Sequence, residues 1–343
     1  MLYSILRPLL FQLEPETAHH VTLNAINTAF RFGLLKRPTI NCQEQHVMGI
    51  TFPNPVGLAA GLDKNGEYLD ALAELGFGFL EIGTVTPRPQ PGNPAPRIFR
   101  IPQARAIINR LGFNNHGVDR LIENVIHSNY SGVLGINIGK NYDTPIDKAI
   151  EDYRICLSKV YCYASYVTIN ISSPNTQNLR QLQAKDALDQ LLSALKSEQL
   201  SLSQSHGKYT PLVVKIAPDL EKPDIATIAQ LLVKHHIDGV IATNTTLSRQ
   251  GIDHLSISQE AGGLSGAPLT EKATAIVAQL RHCLEDSIPI IGVGGIMSPQ
   301  NAKEKIAAGA SLVQVYSGLI YQGPSLISHV AQAICNNQTL SGK

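Results

Sequence analysis

The sequence predicts an α/β protein: a (β/α)8 barrel of the TIM-barrel class, preceded by a small N-terminal helical domain. Three observations predict it. After residue 50, eight short β-rich runs alternate with longer helical patterns. Most of these runs are continuously apolar, as strands covered on both faces are. The first forty residues carry a different signature, an apolar stripe at helical spacing. The expected division is residues 1–40 for the helical domain and residues 41–343 for the barrel, with an inserted excursion at residues 86–132.

At the N-terminus, Leu2, Ile5, Leu6, Leu9, Leu10 and Leu13 fall on one helical stripe, widened by Tyr3 and Phe11. Pro8 must then sit in the first turn or kink the helix. A second helix is expected from about Pro15, with Glu14 and Glu16 at its positive end. Residues 1–40 hold Arg7, Arg31, Lys36 and Arg37 against Glu14 and Glu16, a net of +2. Two readings stand for this stripe: a hairpin packed on the main domain, or an anchor lying in a membrane interface.

The eight runs are residues 54–61, 79–85, 133–139, 166–172, 211–217, 239–245, 288–295 and 311–318. Helical patterns follow them, among them residues 67–75, 145–160 and 223–236. A doubly wound open sheet is the rival, but it does not require a count of eight. The connection at 86–132 is long for a compact domain and holds Pro87, Pro89, Pro91, Pro94, Pro96 and Pro102. Alternation in RIFRI and ARAII predicts a hairpin inside it, placed over the barrel mouth.

Apolar residues make up 43% of the chain, and Lys+Arg 28 against Asp+Glu 27 leaves a net charge of +1. That balance argues against nucleic acid as a partner. The five cysteines, Cys42, Cys156, Cys162, Cys283 and Cys335, match no metal-ligand spacing and read as reduced thiols. No apolar run approaches the ~20 residues a membrane span needs, and the start makes a poor signal peptide.

In this fold the C-terminal ends of the strands build the site. The ends of the seventh and eighth strands, with Gly292, Gly294, Gly295, Tyr316, Ser317 and Gly318, suit a phosphate. GGLSG at 262–266 adds flexible backbone nearby. Asn109, Asn137, Asn170, Asn175 and Asn244 offer donors and acceptors for a planar amide or imide, though each alone also suits a turn or cap. No histidine or carboxylate stands at these ends as an ordinary base; Asp63 equally suits a pair with Lys64. Lys64 and Lys215 are either Schiff-base nucleophiles or fixed positive charges.

The motifs AAGLDKNG (59–66), EIGTVTPRPQPGNPAPRIFR (81–100), NRLGFNN (109–115), NISSPNT (170–176), KIAPD (215–219), ATNTT (242–246), GGLSG (262–266) and GVGGI (292–296) resemble those of the dihydroorotate dehydrogenase family, in order and nearly end to end. FQLEPETAHH (11–20) resembles the membrane-associated, quinone-using class. The resemblance implies oxidation of (S)-dihydroorotate to orotate in pyrimidine biosynthesis, with one non-covalent FMN per chain as hydride acceptor and a membrane quinone as final electron acceptor. It implies that Ser173 is the base for the C5 proton while a hydride leaves C6 for flavin N5. Substrate contacts carry over to Lys64, Asn109, Arg110, Leu111, Gly112, Phe113, Asn170, Asn175, Asn244 and Thr245. Flavin contacts carry over to Ala60, Gly61, Lys64, Thr84, Asn137, Asn170, Lys215, Thr243, Gly266, Gly295, Tyr316 and Ser317. Thr176 is the candidate for passing the proton on through water, with Phe113 closing that path.

The resemblance also implies that residues 1–40 lie on a lipid bilayer surface and form a quinone tunnel, with His19, Arg100 and Tyr316 at its inner end. The opening on an amphipathic helix with no transit peptide favours a peripheral place on the cytoplasmic face of a bacterial inner membrane, with a processed mitochondrial form as the alternative. The lack of a cysteine cluster fits electrons leaving directly to quinone, with no iron–sulfur partner subunit. A soluble relative using fumarate or NAD is opposed by Ser173 and by the apolar N-terminus. A Schiff-base lyase on the same barrel, or a flavin barrel without catalysis, are the remaining rivals.

Overall fold

The computed structural model describes residues 2–341; residues 1, 342 and 343 of the two expected domains lie outside the described residues. In chain order the strands are β1 Gln45–Val47, β2 Ile50–Phe52, β3 Val56–Leu58, β4 Phe79–Val85, β5 Ile98–Ile101, β6 Ala106–Asn109, β7 Val133–Ile138, β8 Tyr166–Asn170, β9 Leu212–Ile216, β10 Gly239–Ala242, β11 Gly263–Gly266, β12 Ile290–Val293 and β13 Leu312–Val315. The helices are α1 Leu2–Leu10, α2 Pro15–Arg31, α3 Leu69–Ala73, α4 Val118–His127, α5 Ala149–Val160, α6 Lys185–His206, α7 Lys222–Lys234, α8 Thr270–Leu284, α9 Pro299–Ala307, α10 Ser317–Gln322 and α11 Ser325–Ser341.

Eight of the strands close a parallel barrel in the order β3, β4, β7, β8, β9, β10, β12, β13 and back to β3. Each falls within one of the eight apolar runs. Several runs overshoot their strands, because their last residues are the glycines and polar side chains that leave the ladder to build the site. The main core lies between the strands and the outer helices, where Leu and Ile from both layers interdigitate.

A second cluster fills the end of the barrel opposite the site. There Phe79, Val133 and Tyr166 open β4, β7 and β8 and pack with Val47, Met48, Ile50 and Phe52. The last four come from the β1–β2 hairpin, which turns at Met48 and Gly49, both at positive φ. Alternation in HVMGITF around a two-residue turn was the legible signal for this plug, and the sequence reading assigned no element there.

The expected hairpin in the excursion is β5–β6, with Phe99 opposite Ile108. It gains a third strand. GGLSG, read from sequence as flexible backbone, is β11 and pairs antiparallel with β6, Gly263 opposite Asn109. Gly263 is admitted because a Cβ there would strike the Thr245 side chain. The excursion also contains α4, which packs beside α5.

The two N-terminal helices form as expected. Glu14 caps α2, its carboxylate accepting the N–H groups of Glu16 and Thr17. Pro8 sits inside α1, past its first turn. Helix α1 docks through the Tyr3 hydroxyl on the Ile320 carbonyl (2.5 Å) and Arg7 on the Tyr321 carbonyl (2.6 Å). Its apolar stripe does not face the barrel: Ile5 is 69% and Leu9 60% exposed. Among the described residues no helix is long and apolar enough to cross a membrane.

One expectation is corrected. Cys42 and Cys335, read as reduced thiols, are joined, with Cα atoms 5.3 Å apart. The pair ties the segment entering the barrel to α11. Their separation of 293 residues hid it, because only the closure of the barrel brings them together. Cys156, Cys162 and Cys283 are free.

Candidate active site

The C-terminal ends of the barrel strands and the β5–β6–β11 sheet enclose a cavity of about 990 Å³, its open mouth included. Lys64, Leu111, Gly112, Phe113, Asn109, Asn175, Asn244, Thr245 and Ser173 line it, with Asn170 between them and the floor. Ala60, Gly61, Thr84, Lys215, Thr243, Gly266, Gly295, Tyr316 and Ser317 line the same cavity. Two of the sequence-predicted site residues stand apart. Arg110 pairs with Glu260 at 2.6 Å and lies over the Phe99 ring. Asn137 is fully buried behind Thr84 and Asn170.

The amides form one connected floor. Asn137 donates to the Glu81 carboxylate (2.8 Å) and accepts from Thr84 (2.6 Å) and Asn170 (3.1 Å). Tyr166 and Gln314 also donate to Glu81. Asn244 donates to Ser172 (3.0 Å), and its own oxygen accepts the Thr245 N–H (2.8 Å). Each side chain is thereby held in one orientation before any ligand arrives. The buried oxygens Thr245 Oγ1, Thr176 Oγ1, Asn114 Oδ1 and Gln314 Oε1 have no partner. Thr245 and Gln314 line the cavity, where a bound molecule would satisfy them.

Ser173 is 6% exposed. Its Oγ accepts the Asn175 N–H at 3.2 Å, as a turn hydroxyl does, and leaves its own O–H free for the cavity. Asn175 in turn donates to Asn109 (3.2 Å). Among the described residues no histidine or carboxylate lines the cavity. Thr176 is buried but is not in the cavity wall.

Asp63 does not pair with Lys64. Its carboxylate accepts four backbone N–H groups, of Asn65, Gly66, Glu67 and Tyr68, and so fixes the loop after β3. Burial is the largest pull on Lys64 and lowers its pKa to about 8; Arg97 adds to it, and Glu16 and Asp63 oppose it. Lys215 is 5% exposed, and burial lowers its pKa too, with Glu81 opposing. Burial thus disfavours the charged form of both lysines, and an anionic partner in the cavity would favour it again.

At the other end of the cavity, Gly295 sits at φ +72°, and a Cβ there would lie 2.4 Å from the Thr270 Cα. Only a bare backbone fits there, because the Thr270 main chain fills the space a side chain would need. The Thr270 hydroxyl donates to the Gly295 carbonyl at 2.7 Å, and Ser317 donates to Ser265 at 2.8 Å.

Helix α2 reaches the site from outside. Glu16 pairs with Arg97 at 2.7 Å. Burial, reinforced by the charges of Lys64 and His20, lowers the His19 pKa to about 3, so its ring is neutral near pH 7. Arg100 donates to the carbonyls of Leu10, Phe11 and Leu13, closing the end of α1, and its guanidinium lies 4.6 Å from the Phe11 ring centre.

The family model described as dihydroorotate dehydrogenase matches residues 42–337. The chain belongs to the dihydroorotate dehydrogenase family. It is similar to the dihydroorotate dehydrogenase (quinone) of Nitrosospira multiformis, 66% identical over 336 residues covering 98% of this chain and 97% of that one. The dihydroorotate dehydrogenase (quinone) of Nitrosomonas eutropha is 63% identical over 342 residues, with both chains covered in full. Among solved structures, the DHODH of Eimeria tenella in complex with ferulenol superposes with a TM-score of 0.87 at 38% identity, covering 96% of this chain and 92% of that one. These relatives place the chain in the quinone-dependent class of dihydroorotate dehydrogenases.

Within that frame the sequence reading missed several cavity residues, among them Ser265, Leu269 and Gln314. Gln314 had a signal, a polar side chain inside the apolar run LVQV, where every residue is buried. Ser265 had none beyond its place in GGLSG, because β11 reaches the cavity only by pairing with β6.

Proposed function

We propose that this chain oxidises (S)-dihydroorotate to orotate, using one FMN and passing the electrons to a membrane quinone, as a step of pyrimidine biosynthesis. The observation that carries the reading is the two-ended cavity. One end gathers Lys64, Ser173 and the Asn109–Asn175 and Asn244–Thr245 pairs. The other is a bare-backbone cradle beside Ser317, with Lys215 on the cavity wall.

The residues fit an FMN. Gly295, Gly266, Ser317 and Tyr316 would hold its phosphate end, and Ala60, Gly61, Thr84, Asn170, Lys215 and Thr243 its ring. When bound, FMN supplies the hydride acceptor that no side chain can supply. Asn137 supports this end from behind, through Thr84 and Asn170.

The protein residues then do the following. Lys64 holds the substrate carboxylate. Asn175, Asn109, Asn244 and the unpaired Thr245 hydroxyl hold the planar ring and fix its faces. Leu111, Gly112 and Phe113 cover it and exclude water. Ser173 takes the C5 proton as its own hydroxyl proton is passed on, and the Asn175 N–H supports the alkoxide character this gives its Oγ. Serine is a weak base near neutrality, so it relies on this orientation and on passing the proton on; Thr176 is the proposed exit and Phe113 its closure. Lys215, buried in the cavity wall, would favour negative charge on the flavin ring as a positive charge beside it.

The outward stripe of α1 supports peripheral attachment to a lipid surface, at the cytoplasmic face of a bacterial inner membrane. His19, Arg100 and Tyr316 are assigned to the inner end of the quinone path. The test is anaerobic addition of dihydroorotate to the purified protein while the visible flavin band is watched. Immediate bleaching of a yellow protein supports the reading; a yellow protein that stays yellow sinks the substrate assignment.

A further inference from the structure

Behind the cavity wall stands an ion cluster that the proposed chemistry leaves unused. Arg180 lies in the short turn Leu179–Gln183 after β8. All three of its guanidinium nitrogens are committed. Nε donates to the Ser172 carbonyl (3.0 Å), Nη2 to the Thr245 carbonyl (2.9 Å) and Nη1 to Asp219 Oδ2 (2.9 Å). One planar group thus grips the residue before Ser173 and a residue that lines the cavity itself.

Asp219 follows β9 and fixes the far side of the guanidinium. It also accepts from Thr246 Oγ1 (2.5 Å), the Leu247 N–H (2.9 Å) and Lys272 Nζ (2.5 Å). Burial is the largest effect on its carboxyl and acts upward, yet the bonds from Lys272, Thr246, Leu247 and Arg180 together hold its pKa at about 2. It is therefore an anion at any pH the enzyme meets. Lys272 is on α8, whose first residue Thr270 bonds the Gly295 carbonyl. The cluster joins the loops after β8, β9 and β10 to the helix behind the glycine cradle.

We propose that Arg180, anchored by Asp219, is a positioning residue that locks the Ser173 loop and the Thr245 loop in register with each other. The proposal rests on the functional reading above. The geometry calls for arginine. A lysine ammonium is a point charge and cannot direct three bonds in one plane at three acceptors on different loops. Proton abstraction and ring binding depend on sub-ångström placement of Ser173 and Thr245. The clamp therefore acts on the rate of the reductive half-reaction and on orotate binding together.

The experiment compares the flavin-loaded wild type with Arg180→Ala, Arg180→Lys and Asp219→Asn. Hydrogen exchange needs no turnover. In Arg180→Ala the amides of residues 172–178 and 245–248 are expected to exchange at least about tenfold faster, with the barrel strands unchanged. In stopped flow, flavin reduction by dihydroorotate is expected to slow by about 30-fold or more, and added guanidinium ion is expected to restore much of the rate. Guanidinium gives Ser173→Ala no such rescue. Unchanged loop exchange, or a rate within about threefold of wild type, overturns the clamp. So does a slow rate that guanidinium leaves slow. If Arg180→Ala does not fold, Arg180→Lys and Asp219→Asn decide by the same two readouts. A wild type that is not bleached by dihydroorotate refutes the substrate assignment instead, and the exchange measurement still judges the clamp.

Discussion

Replacing Ser173 by alanine removes one oxygen from a wall that is otherwise fixed by its own bonds. The direct structural loss is the acceptor for the Asn175 N–H. A net hydrogen bond of this kind contributes about 1 kcal/mol, so orotate affinity should fall by no more than about fivefold. Asn175 keeps its second tether to Asn109, and the flavin end of the cavity is untouched. The chemical loss is larger, because a positioned base contributes about 10²–10⁴-fold. No other base stands in the cavity: among the described residues its titratable lining groups are Lys64, Lys215 and Tyr316, and burial pushes the Tyr316 hydroxyl up to about 12. The assay is single-turnover reduction of the bound flavin by saturating dihydroorotate, with orotate affinity read from the spectral shift. The expected variant is yellow, binds orotate nearly as well as wild type and reduces its flavin about 10²–10⁴-fold more slowly. Reduction within about tenfold of wild type would refute the assignment of Ser173 as base.

Three further outcomes are expected. Lys64 loses its proton at about pH 8 in the free protein, and only its charged form attracts a carboxylate. Orotate affinity should be flat below that pH and weaken about tenfold per unit above it, and Lys64→Ala should abolish this dependence and cost about 10–100-fold in affinity; a pH-independent affinity from 7 to about 10 removes Lys64 from carboxylate binding. Gly295→Ala drives a methyl group against the Thr270 backbone at a positive φ, so the protein should purify with depleted flavin and about 1–3 kcal/mol less stability; full flavin occupancy contradicts the cradle. Replacing Ile5 and Leu9 by serine removes exposed apolar surface worth about 1.5–3 kcal/mol per side chain when buried in lipid. Sedimentation with vesicles should drop sharply while reduction by dihydroorotate is unchanged, and undiminished vesicle binding tells against α1 as the lipid-facing surface.

Much of the candidate site was legible because a parallel barrel ties position in space to position in sequence. Once eight strands are counted, the residues just beyond each strand share one rim, and Lys64, Asn170, Ser173, Lys215, Asn244 and Gly295 follow directly. Arg110 came from the family resemblance and not from a strand end. It lies in the NRLGF stretch, but its side chain turns to Glu260, 150 residues away. Asp63 was likewise ambiguous beside Lys64 until four backbone N–H groups were seen to claim it.

By itself the sequence determined the barrel, the helical N-terminus, the excursion hairpin and the list of rim residues. These depend on burial periodicity and turn chemistry, which act over a few residues. Only the tertiary structure decided the rest: β11 completing the hairpin sheet, the Cys42–Cys335 pair, the outward face of α1 and the Arg180–Asp219 clamp. Each joins segments far apart in the chain or turns on which face stays uncovered. No local pattern encodes such contacts, since what selects them is the packing of the closed barrel.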